Sequence, residues 1–299
     1  MKLSLGLLGM ESLTGGFAGL RDVVALADKK GVDQVSVVDH VVMGPTHEEY
    51  PYGPFRGTSQ TPFLDPLVEL ASYASVTKNI RLSSGIVISP LRPAAVLAKQ
   101  LATLDVLSGG RVEIGLGVGW QSAEYAACGV DWSSRFAILE EQIRACRLLW
   151  SGTAVTFHGE HVTLDDITAM PQPVQGAKLP IWLGLGLKRR NIERIAELCD
   201  GWIPMERDRA NLREQVDVLK RAFEARGRDP GELQVRATYE VRRGADGKPD
   251  LEATLAQTKD YAAAGVTMLR LESRVLCRRI EDFERFLERA VQEKGVVAA

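Results

Sequence analysis

The hardware of the commonest hydrolases and metalloenzymes is missing from this chain. Its four histidines, His40, His47, His158 and His161, make no HExxH or similar pattern, so no metal ligand set is visible. No GxSxG elbow occurs, which removes the usual serine nucleophile of an α/β-hydrolase. Cysteine is sparse: Cys128, Cys146, Cys199 and Cys277 form no CxxC pair. Cys146 continues the apolar stripe Phe136, Leu139, Ile143, and Cys199 continues Ile192, Ile195, Ala196, so both read as reduced core residues. A net charge of −2 gives no bulk attraction to nucleic acid or to an acidic membrane surface. No apolar run approaches a membrane span. The opening MKLSLGLLGMES has too short an apolar run for a secretory core and reads as a first strand. The expectation is a cytoplasmic protein acting on a small molecule, with no metal, nucleic-acid or membrane partner.

What is present is an alternation, clearest between Arg81 and Trp120. Two β-branched, glycine-bearing runs, Arg81–Ser89 and Val112–Gly119, flank a helical stretch opened by Pro93 with Leu97, Leu101 and Leu104 on one face. Ser108-Gly109-Gly110 stops that helix. Both strands are too apolar to have a wet face, which places them in a parallel sheet covered by helices. Further strands read at Leu3–Gly9, Gln34–Asp39, Pro180–Gly186, Gly201–Pro204, Leu233–Val241 and Met268–Glu272. Helices fall between them, at Asp65–Thr77, at Ser133–Trp150 with Ser133 or Ser134 as N-cap, and at Lys188–Cys199. The later ones are Ala210–Arg226, Leu251–Ala264 and Ile280–Lys294. Eight alternations in 299 residues predict an α/β fold of the (β/α)8 TIM-barrel type, in a single domain 1–299. Two segments fall outside the cadence. Residues 41–62 carry aromatics, four prolines and Arg56 and read as an active-face loop. Residues 154–176 alternate around His158 and His161 and read as a hairpin insertion, with both histidines solvated at its tip.

Active sites of such barrels are built at the C-terminal ends of the strands. Asp39-His40 ends the second strand and offers either a tunable acid/base or a pair that only hydrogen-bonds neighbouring loops. Gly85, followed by Ile86 and Val87, is either a ligand platform or a packing bulge. GLGVGW, ending in Gly117, Gly119 and Trp120, lacks the glycine spacing of a dinucleotide fingerprint. The turn GLGLKRRN, with Gly184, Leu185, Gly186, Lys188 and Arg189, opens a helix and favours an anion at its N-terminus. Arg274, Arg278 and Arg279 follow the last strand against the dipole of the final helix. They point either to an anion or to pairing with Glu281, Asp282 and Glu284.

Together VVDH at 37–40, the stretch 63–120, Glu124, Arg135, PIWLGLG at 180–186 and CDGWIP at 199–204 resemble the bacterial-luciferase-like flavin and deazaflavin oxidoreductases. Asp39-His40-Val41 looks like the branch that uses coenzyme F420. The resemblance implies a homodimeric barrel with inserted segments and a non-prolyl cis peptide at Gly85–Ile86 beneath the cofactor ring. Asp39 and His40 would then lie beside ring and substrate, and Gly117–Trp120 and Gly184–Gly186 along the cofactor's ribityl and phosphate end. Many relatives carry a serine and a glycine pair where Leu185 and Leu187 stand here. The implied activity is hydride transfer between F420 and a small organic substrate. The alternatives are an FMN-dependent monooxygenase and a barrel that binds the cofactor without turnover.

Overall fold

The computed structural model describes residues 1–45, 50, 51, 55 and 57–294; Arg56 and His47 lie outside them. Eight parallel strands close into a barrel: β1 (Lys2–Gly6), β2 (Gln34–Val37), β3 (Arg81–Ser84), β4 (Val112–Gly117), β5 (Ile181–Leu183), β6 (Gly201–Trp202), β7 (Gln234–Thr238) and β8 (Met268–Glu272). Each pairs with the next, and β8 pairs with β1 from Lys2↔Met268 to Gly6↔Glu272 to close the ring. Most strands are shorter at the C-terminal end than the sequence predicts. The apolar and glycine residues beyond each ladder belong to the barrel's mouth.

Around the barrel stand α1 (Leu20–Lys30), α2 (Pro66–Ala74), α3 (Ala94–Ser108), α4 (Arg135–Leu149), α5 (Arg189–Leu198) and α6 (Leu212–Glu224). A broken helix (Leu251–Leu255, Thr258–Ala263) and α7 (Phe283–Glu293) complete the shell. Asp65 caps α2 by accepting from the Leu67 and Val68 N–H groups at 3.0 and 3.1 Å, with Pro66 at the first helical position. Gly109 ends α3 at φ 69°, a left-handed conformation that a side chain would oppose. The expected serine cap of α4 is not made. Ser134 stands at the N-cap position, but its hydroxyl donates to Asp131 Oδ2 at 2.7 Å, as the side chain of Ser133 also does. The expected hairpin is present, Val155–His158 against Thr163–Ile167. His158 pairs with Asp165 at 3.2 Å on its exposed surface.

Alternation within the strands sorts residues between two interiors. Leu3, Leu5, Val35, Val37, Leu82, Val112 and Ile114 join the apolar layer with the helices. Cys146 and Cys199 are buried there as free thiols, and burial pushes Cys146 up to about 12. The other face of the strands fills the barrel with polar groups. Ser4 Oγ donates to Gln34 Oε1 at 2.9 Å, Gln34 Nε2 to Glu113 Oε2 at 2.7 Å, and Arg81 pairs with Glu113. Arg236 Nη1 donates to Gln34 Oε1 at 2.6 Å and to Ser83 Oγ at 2.8 Å, while Nη2 donates to the Ser84 carbonyl at 2.6 Å. Bulky branched residues usually plug such barrels. Here a hydrogen-bonded charge network does, and every member depends on the others for its partners.

Glu69 on α2 illustrates the cost of burying an acid. It borders a small recess with Glu11 and Phe17, and Tyr73 Oη donates to its Oε1 at 2.5 Å. Burial pushes its carboxyl up to about 7; the Tyr73 hydrogen bond opposes the shift and the nearby Glu11 charge adds to it. The fold therefore favours protonated Glu69. This contribution is complete below the ordinary pKa near 4.5 and is lost as pH rises through about 7. Glu69→Gln is expected to raise the thermal midpoint at pH 8 and to leave it nearly unchanged at pH 4.5. Unfolding followed at both pH values checks this; equal shifts at the two would refute it.

Candidate active site

Beyond the strand ends the mouth of the barrel holds a cavity of about 290 Å³. That lies near the lower end of the range of small-molecule pockets, ~300–1,000 Å³. Its floor is made where β3 breaks. The Gly85–Ile86 peptide is cis, and the chain resumes pairing with β4 only at Val87↔Leu116 and Ile88↔Gly117. Two glycines make room for the Ile86 side chain. A Cβ on Gly117 would stand 2.9 Å from Ile86 Cδ1, and one on Gly184 would stand 2.5 Å from Ile86 Cγ2. Gly117 itself is not part of the cavity wall, whereas Gly184 is. Gly85 lines the cavity, yet a Cβ there would meet Arg236 Nη2 at 3.0 Å and Ser36 Oγ at 3.2 Å. Its lack of a side chain thus serves the packing of Arg236 inside the barrel.

Asp39 and His40 sit side by side with different tasks. The Asp39 carboxylate is buried and fully engaged. Arg92 donates to both oxygens, Nη1 to Oδ2 at 2.6 Å and Nη2 to Oδ1 at 3.1 Å, and the Ile88 N–H donates to Oδ2 at 2.8 Å. Arg92 Nη2 also reaches Asp65 Oδ2 at 2.9 Å, and its carbonyl accepts from Gln142 Nε2 at 2.6 Å. A carboxylate held this way positions chain segments and is not available as a proton acceptor. The sequence expectation of a catalytic Asp39 becomes a structural one. His40 is different. Its Nδ1 lies 3.2 Å from Oε2 of Glu124, a carboxylate with no solvent exposure whose Oε1 accepts the Val41 N–H at 2.6 Å. Phe63 packs against the imidazole with ring centroids 4.8 Å apart, and Phe55 and Trp120 lie near 6 Å, edge to face. Nε2 has no hydrogen-bond partner among the described residues. A carboxylate on one nitrogen sets the tautomer and orientation of the ring and leaves the other for chemistry.

Trp120 lines the cavity in contact with Tyr50 and Phe55, centroids 5.2 and 5.4 Å away, and its indole N–H is buried without a partner. Gly119 also lines the wall, at φ 63°. Of the other expected ligand residues, Val87 and Leu185 are buried in the apolar core, and Gly186 lies outside the cavity wall, beneath the Arg207 guanidinium. Lys188 and Arg189 are exposed outside the cavity, and Arg189 pairs with Glu193 at 3.3 Å. Arg274, Arg278 and Arg279 do not line it either. Arg274 Nε donates to Ser12 Oγ at 2.9 Å, and Arg279 pairs with Asp282 at 3.2 Å and Glu281 at 3.6 Å on the surface. The wall carries three arginines that sequence reasoning passed over: Arg209, Arg236 and Arg270. An arginine in the middle of an apolar strand buried on both faces, as in QVRAT and MLRLE, was the available signal.

Removing one partner of a buried ion pair leaves a charge without compensation, at ~3–5 kcal/mol. Arg92→Leu is expected to lose stability on that scale in urea titration, and a loss under ~1 kcal/mol would show the clamp to be dispensable. Gly184→Ala must push Ile86 aside at a typical overpacking cost of ~1–3 kcal/mol, and Ile86→Ala in the same chain should recover most of it. A double-mutant cycle checks the coupling; strict additivity would contradict the packing described.

The Luciferase-like monooxygenase family profile matches residues 3–271. An uncharacterised protein of Mycobacterium tuberculosis is 34% identical over 227 residues, 72% of this chain and 77% of the relative. The F420-dependent glucose-6-phosphate dehydrogenase of Kineococcus radiotolerans is 30% identical over 256 residues, 83% of this chain and 69% of that protein. Among solved structures, the monooxygenase RslO1 of Streptomyces bottropensis superposes with a TM-score of 0.82 at 21% identity, over all of both chains, which shows the shared fold. Barrel, cis peptide at the expected bond and sequence match agree: the chain belongs to the luciferase-like monooxygenase family.

Proposed function

We propose that this family member transfers a hydride between coenzyme F420 and a small organic substrate. The observation that carries the reading is His40, oriented by buried Glu124 and presenting a nitrogen without a protein partner beside the Gly85–Ile86 floor. The residues present fit a flat ring cofactor. Gly85 and Ile86 would support it, and the buried Trp120 indole N–H lacks an acceptor that a polar ligand group supplies. Bound F420 would supply a hydride donor or acceptor that reacts poorly with oxygen. His40 would hold or move the proton that accompanies the hydride, at Nε2, with Glu124 fixing the ring through Nδ1. The aromatic side chains of Phe63, Phe55 and Trp120 keep water from the imidazole. Asp39 contributes by anchoring Ile88, two residues past the floor.

The preference for F420 rests on the Asp39-His40-Val41 resemblance and is supported by the F420-dependent relative. An FMN-dependent monooxygenase is the second reading, favoured by the family's name and by the fold shared with RslO1. Titration with F420 and with FMN at one salt concentration separates the two. Tighter binding of F420 is expected; micromolar FMN binding with no detectable F420 binding would promote the monooxygenase. In the F420-loaded protein, His40→Ala should lower kcat by the ~10²–10⁴ typical of an acid/base group while cofactor affinity holds. A loss below about threefold would leave His40 a structural role only.

A further inference from the structure

One side of the cavity is built from arginines on successive elements. Arg209 lies in the turn Glu206–Asn211 after β6, Arg236 on β7 and Arg270 on β8, and all three line the cavity. The turn is a built one: Asp208 Oδ2 accepts the Met205 N–H at 2.8 Å and Asp208 is buried. Arg209, half-buried, has no hydrogen bond or ion pair with any described residue. Arg270 pairs with Glu272, but its Nε is buried without a partner. Gly6 of β1 leaves room for this side chain, since a Cβ there would collide with Arg270 Nη2. Arg236 is 1% exposed; its partners Gln34, Ser83 and the Ser84 carbonyl are all neutral, and its Nε is also unpartnered.

Three acids and three arginines line the wall, but they are not all paired with one another. Of the acids in the wall, Asp39 is taken by Arg92, from outside it. Glu272 pairs with Arg270, and Glu206 also lines the wall. A buried guanidinium hydrogen-bonded only to neutral acceptors is costly, and a second, unpaired one at the same cavity adds repulsion. Burial and the neighbouring Arg270 push Arg236 down to about 9, so it keeps its charge at neutral pH. An anion in the cavity would supply the missing partner. The rings of Tyr50, Phe55, Phe63 and Trp120 also line the cavity.

We infer that the substrate is an organic anion, a carboxylate or phosphoryl compound with an apolar or aromatic body, whose charged group is received by Arg209 and Arg270 above Arg236. This deepens the oxidoreductase reading, and depends on it only for the fate of the substrate. The test uses calorimetric titration of the full-length protein, without and with F420, against benzoate, inorganic phosphate and uncharged benzamide. Benzoate or phosphate should bind saturably, and Arg209→Ala should weaken that binding by about tenfold or more, the usual weight of a hydrogen bond to a charged group. Arg209→Lys should recover part of it, with benzamide and F420 affinities unchanged. No saturable binding of either anion to the wild-type protein would overturn the inference. So would anion binding indifferent to Arg209→Ala, or a loss confined to F420, which would assign the charge to the cofactor's tail. Failure of the oxidoreductase reading would appear separately, as no binding of F420 or FMN by a protein that still binds the anion.

Discussion

The pairing of Asp39 with Arg92 is the interaction on which the mouth of this barrel depends. Its carboxylate lies just past β2, takes the backbone N–H of Ile88, two residues after the cis peptide, and holds a guanidinium that reaches the cap of α2 through Asp65. Gln142 adds α4 by donating to the Arg92 carbonyl. Four pieces of chain distant in sequence are thereby fixed by one buried charge pair. Such pairs contribute little net stability against an apolar alternative, but they are intolerant of losing one member. The benefit is geometric: His40 follows Asp39 directly and inherits its position, and the floor at Gly85–Ile86 is held from Ile88, two residues beyond it.

Two kinds of interior therefore meet at the site. Outside the strands an ordinary apolar layer supplies the bulk of the folding free energy. Inside, serines, Gln34, Glu113 and three arginines replace the branched side chains that would plug the barrel. A polar plug of this kind is stable only when its groups are satisfied. Among the unsatisfied buried atoms, Arg236 Nε, Arg270 Nε and Trp120 Nε1 belong to residues that border the cavity.

The eight-fold cadence was legible because short β-branched runs recur, each followed by a helical period. Strand ends were overrun where residues leave the ladder, as at 38–40, 85–86 and 184–186; the first two stretches and Gly184 line the mouth, whereas Leu185 packs in the core. The cis bond at Gly85–Ile86 was anticipated by family resemblance alone; nothing in local composition demands it. Basic residues misled in both directions. Exposed Arg189 and Arg279 drew attention by clustering, and they pair with Glu193, Glu281 and Asp282. Arg236 and Arg270 are single letters within apolar runs, and only closure of the barrel brings them to one side of one cavity.

The most direct test of the account is a crystal structure of the protein with F420 bound. The account predicts the deazaflavin ring resting on the Gly85–Ile86 peptide, with His40 Nδ1 still on Glu124 and Nε2 turned to the ligand. It also predicts the Arg209–Arg270 wall left clear of the cofactor for substrate. A ring lodged away from Gly85, or a cofactor tail occupying the arginine wall, would contradict it.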